Sequence, residues 1–217
     1  MAMEPQVDAV NEGEATEGQK EQQQQQVDLS VKHPLEDSWT LWFDNPKLKK
    51  PEESWEDTLK NIMSFSTVED FWCLYGNILP ASRIPSGSNY SVFKHGIKPM
   101  WEDPQNAKGG KWVLTVGRGE RKHMDEWWLH SLLAVIGGTL ELEGHEEICG
   151  LVVSARKSQD RISLWTRTAE TPELVHQIGT RLRQALNLPD RFQLKYQTHD
   201  DALNTGSSFK NKALYQA

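Results

Sequence analysis

The sequence predicts an α+β domain in which an antiparallel sheet carries helices on one face, and three observations lead there. Short strand-like segments joined by polar turns recur at residues 89–93, 110–116, 148–155, 161–166 and 192–197, after an aromatic stretch at 38–43. Three separate stretches show helical spacing instead, and they interrupt the run of strands rather than alternating with each one. Finally, 217 residues suit one domain with a single sizeable core better than two small ones.

Each element has a local reason. Ser38-Trp39-Thr40-Leu41-Trp42-Phe43 puts Trp39, Leu41 and Phe43 on one face and stops at the turn signal Asp44-Asn45-Pro46. A polar loop follows over 47–57, with Trp55 among Glu52, Glu53, Glu56 and Asp57. The first helix opens at the capping box Ser66-Thr67-Val68-Glu69 and carries Val68, Phe71, Trp72 and Tyr75 as far as Gly76. The second starts near Asp125, repeats through Trp128, Leu129, Leu132, Leu133 and Ile136, and stops at Gly137-Gly138. The third has Pro172 in its first turn, Leu174, Ile178, Leu182 and Leu186 spaced by four, and Pro189 beyond its end. No internal repeat is evident.

Composition excludes several classes. The first thirty residues hold seven acids against Lys20 alone, five consecutive glutamines (Gln22 to Gln26) and no aromatic residue, so they are expected to be a disordered tail over 1–31, leaving a folded domain over 32–217. That tail carries −6 of the formal charge of −7. The nearly neutral remainder argues against gripping long duplex nucleic acid through many phosphates. The apolar run from Leu132 to Ile136 is far short of the roughly 20 residues of a membrane span, and the acidic start lacks a secretory signal. Cys73 and Cys149 are too few for a disulfide framework or thiolate metal site, so a cytoplasmic or nuclear protein without metal or cofactor is expected.

Nine tryptophans against six phenylalanines and four tyrosines are the compositional anomaly. Each buried indole N–H needs an acceptor, so such an excess suggests that some face outward. Trp55 and Trp101, both in charged loops, are the two expected outside the core. Two such rings can sandwich a base, the usual way single-stranded nucleic acid is read. In Lys98-Pro99-Met100-Trp101-Glu102-Asp103-Pro104 two prolines stiffen a loop presenting an indole beside a carboxylate, and a carboxylate can accept from the paired N1–H and N2 amino edge of guanine. In the 152–167 hairpin, Arg161, Ser163, Trp165 and Arg167 share one strand face, and a turn at 157–160 that pairs Arg156 with Arg161 would set two guanidiniums side by side for an oligophosphate. The plainer alternatives stay open at this level: a solvated strand face with an incidental arginine pair, and a Trp101 that only covers a core edge.

These residues also fall in a recognisable order. His33-Pro34-Leu35, Thr67-Val68-Glu69-Asp70-Phe71-Trp72, Pro99-Met100-Trp101-Glu102-Asp103, Gly109-Gly110-Lys111-Trp112, Ile148-Cys149-Gly150 and Ile162-Ser163-Leu164-Trp165-Thr166 resemble the eukaryotic translation initiation factor 4E family, from His33 to the C-terminus. The resemblance implies a strongly curved antiparallel sheet with three helices on its convex face and the N7-methylguanosine cap of messenger RNA on the concave side. It implies that Trp55 and Trp101 sandwich the methylated base, Glu102 binds its edge, Trp165 contacts the methyl group, and Arg156 and Arg161 hold phosphates. It also implies a second site on the convex face, at His33, Pro34, Val68, Trp72, Leu129, Leu133 and Gly137, where a scaffold initiation factor and 4E-binding repressors dock an amphipathic helix. Helical spacing alone would put Trp72 in the core. Ser207, in a Gly-Ser-Ser loop, matches a regulatory phosphorylation position. Ser158 replaces a common base, Asn89 a common acid, and His130 a usual acid of the convex face.

Catalysis has little support. His145-Glu146-Glu147-Ile148-Cys149 could suggest a metal or thiol site, yet no second histidine follows one helical turn on. A pure interaction adaptor using the Trp72 face, or a cap-binding repressor that recruits no scaffold, are the other readings.

Overall fold

A computed structural model describes residues 31–52, 54–200 and 213–217, and Lys32–Ala217 form one compact unit. The expected tail over 1–31, apart from Val31, and Ser207 lie outside the described residues.

Among the described residues, eight strands make one antiparallel sheet. In chain order they are β1 (Pro34–Asp44), β2 (Lys60–Thr67), β3 (Asn89–Lys94), β4 (Gly110–Gly117), β5 (Ile148–Ser154), β6 (Gln159–Thr166), β7 (Leu194–Thr198) and β8 (Tyr215–Gln216). Across the sheet they run β2-β1-β3-β5-β6-β4-β7-β8. The helices are α1 (Trp55–Thr58), α2 (Val68–Asn77), α3 (Met124–Ile136) and α4 (Pro172–Ala185). The three long ones are those read from periodicity, so the predicted α+β class is what is found.

Strand alternation divides the sheet into two unlike faces. Tyr90 and Val92, Trp112, Leu114 and Val116, Leu151 and Val153, and Ile162 and Leu164 are buried in the main core. Trp127, Trp128, Leu132 and Val135 of α3 and Val175, Ile178 and Leu182 of α4 join them there. Trp112 fastens the two layers: its indole Nε1 donates to the Val175 carbonyl at 3.0 Å, and its ring fills the notch left by Gly179, where a Cβ would lie 2.5 Å from it. Fully burying a side chain of this kind is worth about 1.5–3 kcal/mol. The alternate positions Ser91, Lys111, Val152, Ser154, Arg161, Ser163 and Trp165 face the other way and line a cavity. Interruptions of the β1–β2 register and of β5–β6 near Gly150 mark the bulges, which are where a sheet bends.

Three local expectations are corrected. Strand β2 was missed, because seven of its eight residues are exposed or half-exposed at the sheet edge and show no alternating apolar pattern. The two-residue β8 is too short to leave a pattern at all. The cap of α2 is shifted by one residue: Thr67 accepts from Asp70 N at 3.2 Å, while the Glu69 carboxylate accepts from the His33 backbone N–H at 2.8 Å and pairs with His33 Nδ1 at 2.6 Å. Those bonds hold Glu69 well below the usual carboxylate range, at about 2. Glu69 thus pins the start of β1 to α2 instead of closing a box.

Candidate functional site

The cavity on the open face of the sheet has a volume of about 430 Å³ and is walled by β1, β3, β4, β5, β6 and the loop after β3. Trp101, Glu102, Arg156, Arg161 and Trp165, read separately from the sequence, all line it.

Trp101 sits half-buried in the loop between β3 and β4. One side of it rests on Phe93, Ile97, Cys149 and Trp165, so the expectation that it lies outside the core holds for part of the ring only. The loop is stiffened from within: the Asn106 side-chain amide donates to the Lys98 and Met100 carbonyls at 2.9 and 2.8 Å, and Asp103 accepts from Lys98 N at 2.9 Å. Glu102 is exposed and lines the cavity. Trp55 opens α1, whose N-cap Ser54 and Asp57 form a reciprocal capping box. Its side chain lies outside what is described. The backbone that carries it is tied to the Trp101 loop all the same, because Lys98 Nζ meets Glu56 Oε1 at 2.7 Å.

At the far end stand the arginines. The expected pairing of Arg156 with Arg161 is wrong: Arg161 is opposite Ser154, and Arg156 lies past the end of β5. They converge because Asp160, almost fully buried, accepts from Arg156 N at 2.7 Å and from Arg121 Nε and Nη2 at 2.6 and 2.8 Å. The Arg156 guanidinium is then laid along the wall by bonds to the Ser88 and Ala155 carbonyls and to Asn89 Oδ1 at 2.9 Å. Asn89 donates in turn to Asp44 Oδ2 at 2.8 Å, so an amide here relays the charge of Asp44 rather than neutralising the arginine directly. Burial pulls both guanidinium pKa values below their ordinary level, and the Arg156 charge lowers Arg161 further. Both remain cations, forming one positive end. Arg167, which alternation placed with them, belongs instead beside Asp37, Lys94 and His95 outside this cavity.

Trp165 is buried to 6% exposure, edge-on to Phe93 at 5.4 Å and against His199 at 4.1 Å between ring centres. Lys111, which sequence reasoning passed over, is its cross-strand neighbour and also lines the cavity. Its place in Gly-Gly-Lys-Trp one residue from the buried Trp112 was the available signal, since alternation turns Lys111 to the opposite face.

On the helical face, Val68 N donates to the His33 carbonyl at 2.9 Å, which places His33, Pro34, Val68 and Trp72 at one corner. Trp72 is 45% exposed, so helical spacing alone misassigned it to the core, and Val68 and Leu133 are exposed as well. Leu129, Leu133 and Gly137 follow at intervals of four along the end of α3, and His130 borders a shallow groove with Leu133 and Ala185.

Chemistry by the suspected thiol is not supported. Burial pushes the Cys149 thiol up to about 12, and its Sγ donates to the Gln105 carbonyl. Such a group stays protonated and is a poor nucleophile. Among the described residues no cluster of three or more His, Cys, Asp or Glu could hold a metal ion, and no helix is long and apolar enough to cross a membrane.

The family model described as eukaryotic initiation factor 4E matches residues 34–214. The chain belongs to that family. It is 45% identical over 188 residues, 85% of either chain, to eukaryotic translation initiation factor 4E of Aplysia californica. Among solved structures it is similar to C. elegans eIF4E-3 in complex with the 4E-binding protein Mextli and a cap analog, at 38% identity and a TM-score of 0.76, covering 86% of this chain and all of that one. It is similar as well to Ascaris suum eIF4E-3 with an m2,2,7G cap, at 42% identity and a TM-score of 0.74, covering 84% and 97%.

Proposed function

We propose that this member of the family binds the N7-methylguanosine cap of messenger RNA in the cavity on the open face of the sheet. Through its helical face it recruits a scaffold initiation factor, starting cap-dependent translation in the cytoplasm. The observation that carries the reading is the layout of the cavity. The Trp101 indole and the Glu102 carboxylate stand at one end, beside the helix of Trp55, and the Arg156 and Arg161 cations at the other. A cationic purine suits the first end: stacking is worth about 1–3 kcal/mol per base, and a desolvated cation over an indole adds roughly 2 kcal/mol. Methylation at N7 also acidifies N1–H and so strengthens its bond to Glu102. The oligophosphate suits the second end, where forked donors meet its oxygens. Trp165 walls the side of the site and Trp55 would close the sandwich. Binding is all that is asked of these groups, and an adaptor that ignored RNA would leave the cavity without a use.

Titrating the full chain with N7-methyl-GTP is expected to quench its tryptophan fluorescence strongly, with unmethylated GTP far weaker. Equal responses, or none, would sink the cap reading.

For the helical face, Trp72→Ala is expected to cost a scaffold-derived amphipathic peptide about 2 kcal/mol or more, the loss typical of an exposed aromatic anchor, and to leave N7-methyl-GTP affinity alone. Pull-down and nucleotide titration on the same preparation check both halves. A variant that kept its peptide, or lost its nucleotide, would count against two separate sites.

A further inference from the structure

His199 is a costly residue for the place it occupies. It follows β7 directly and is fully buried, yet among the described residues neither of its ring nitrogens has a well-formed hydrogen bond. Leaving buried polar atoms unpaired disfavours the folded state, and an apolar side chain of similar size would avoid that. Burial, and then the charge of Lys111, pull the pKa down to about 3 against a weak opposing contact with the Gly110 backbone, so the ring is neutral. What the imidazole does touch is Trp165: the two ring centres are 4.1 Å apart, with the planes inclined by 39°.

That contact completes a frame around an indole of the cavity wall. Phe93 meets Trp165 edge-on, with ring centres 5.4 Å apart and planes at 77°, and His199 supports it as a second ring. His199 is itself fixed through its backbone, whose N–H donates to the Gly109 carbonyl at 3.0 Å, where β4 begins beside the end of β7. Trp165 therefore has little room to rock while His199 stays in place. The neutrality of the imidazole matters too, because Lys111 Nζ already lies 5.6 Å from the Trp165 ring centre and a second cation at this wall would oppose a cationic base. Resting on the cap reading above, we propose that His199 is a positioning residue for methyl recognition: its imidazole holds the Trp165 indole in van der Waals contact with the N7-methyl group, and so sets part of the preference for a methylated over an unmethylated base.

The physical reason is the short range of such a contact. A gap of about 0.5–1 Å forfeits about a quarter to a half of the dispersion attraction, so a small rotation of the indole is enough to weaken its hold on a methyl group. Unmethylated guanine has no group at that point. Its stacking on Trp101, its edge bonds to Glu102 and its phosphate contacts do not pass through His199. A loosened Trp165 is therefore felt by one ligand and not by the other.

The test measures affinities of the full chain for N7-methyl-GTP and GTP, with Tm alongside, in the wild type, His199→Ala, His199→Phe and His199→Gln. His199→Ala, which empties the space beside the indole, is expected to weaken N7-methyl-GTP about fivefold and to leave GTP within about twofold, so that the preference contracts. His199→Phe restores a flat, neutral ring and is expected to return the preference to within about twofold of the wild type. His199→Gln, polar but without an aromatic face, is expected to behave like His199→Ala, and it decides the matter should His199→Ala fail to fold. A lower Tm with an unchanged ratio, an equal loss of both ligands, or a His199→Phe no better than the ring-less variants would overturn the proposal and leave His199 a packing residue. If the wild type bound neither nucleotide, or both alike, the cap reading itself would fall and this inference with it, an outcome distinct from a ratio that contracts in the variants alone.

Discussion

Replacing Trp101 by Ala is expected to weaken N7-methyl-GTP binding by about 3 kcal/mol, on the order of 100-fold, since it removes both a stacking face and its attraction for a cationic ring. Calorimetry is the suitable measurement, because the substitution also deletes part of the fluorescence signal. Trp101→Phe, which keeps a smaller π face, is expected to recover a good part of the loss. The effect on folding should be modest. Trp101 is only half-buried, and the satellite cluster under it keeps Phe93, Ile97, Cys149 and Trp165 in contact without it. The loop keeps its shape as well, through Asn106 and Asp103, neither of which bonds to the indole. An affinity within threefold of wild type would show that the base stacks elsewhere.

The largest effect on stability is expected from a single methyl group at Gly109. A Cβ there would lie 1.8 Å from the Thr166 carbonyl oxygen and within 2.9 Å of the Thr166 and Arg167 carbonyl carbons. These are backbone atoms, so no side chain can swing away. Gly109 cannot retreat either: its N–H donates to Asn106 O at 2.8 Å, and its carbonyl accepts from His199 N at 3.0 Å. Strand β4 enters here between β6 and β7, the two strands whose ends would have to part. Gly109→Ala is therefore expected to cost about 3 kcal/mol or more, roughly 6–12 °C in Tm for a domain of this size. Gly119→Ala, where nothing lies within 4 Å of the added atom, should shift stability by no more than about 0.5 kcal/mol. Thermal melts of the two variants side by side make the comparison. Similar Tm values would contradict the packing at the start of β4.

The same locus ties fold to function. Gly109 and Gly110 let β4 enter closely packed between its neighbours, which fixes the register that sets Lys111 opposite Trp165. A strand displaced by one residue would turn Lys111 to the core and Trp112 to the cavity, because side chains alternate with a period of two.

Several features were legible in the residues alone. The three long helices and six of the eight strands follow from hydrophobic period, turn residues and caps, since these are local properties that a window of some ten residues expresses. The chemical character of the site was equally visible: an indole beside a carboxylate in a proline-stiffened loop, and a pair of arginines at a hairpin end, are unusual wherever they fall. The order of the motifs then resembled one family over almost the whole domain. The tertiary structure decided what depends on neighbours distant in sequence. Strand β2 exists because β1 lies alongside it, its own residues being too exposed to signal a strand. Arg156 and Arg161 converge through the buried Asp160 and not through cross-strand pairing. Trp72 remains exposed although its spacing is that of a core residue, because spacing records which residues share a helix face and not whether another element covers that face. Lys111 was silent for a related reason: a lysine in a strand is ordinary until the fold brings two indoles, Trp101 and Trp165, close to its ammonium.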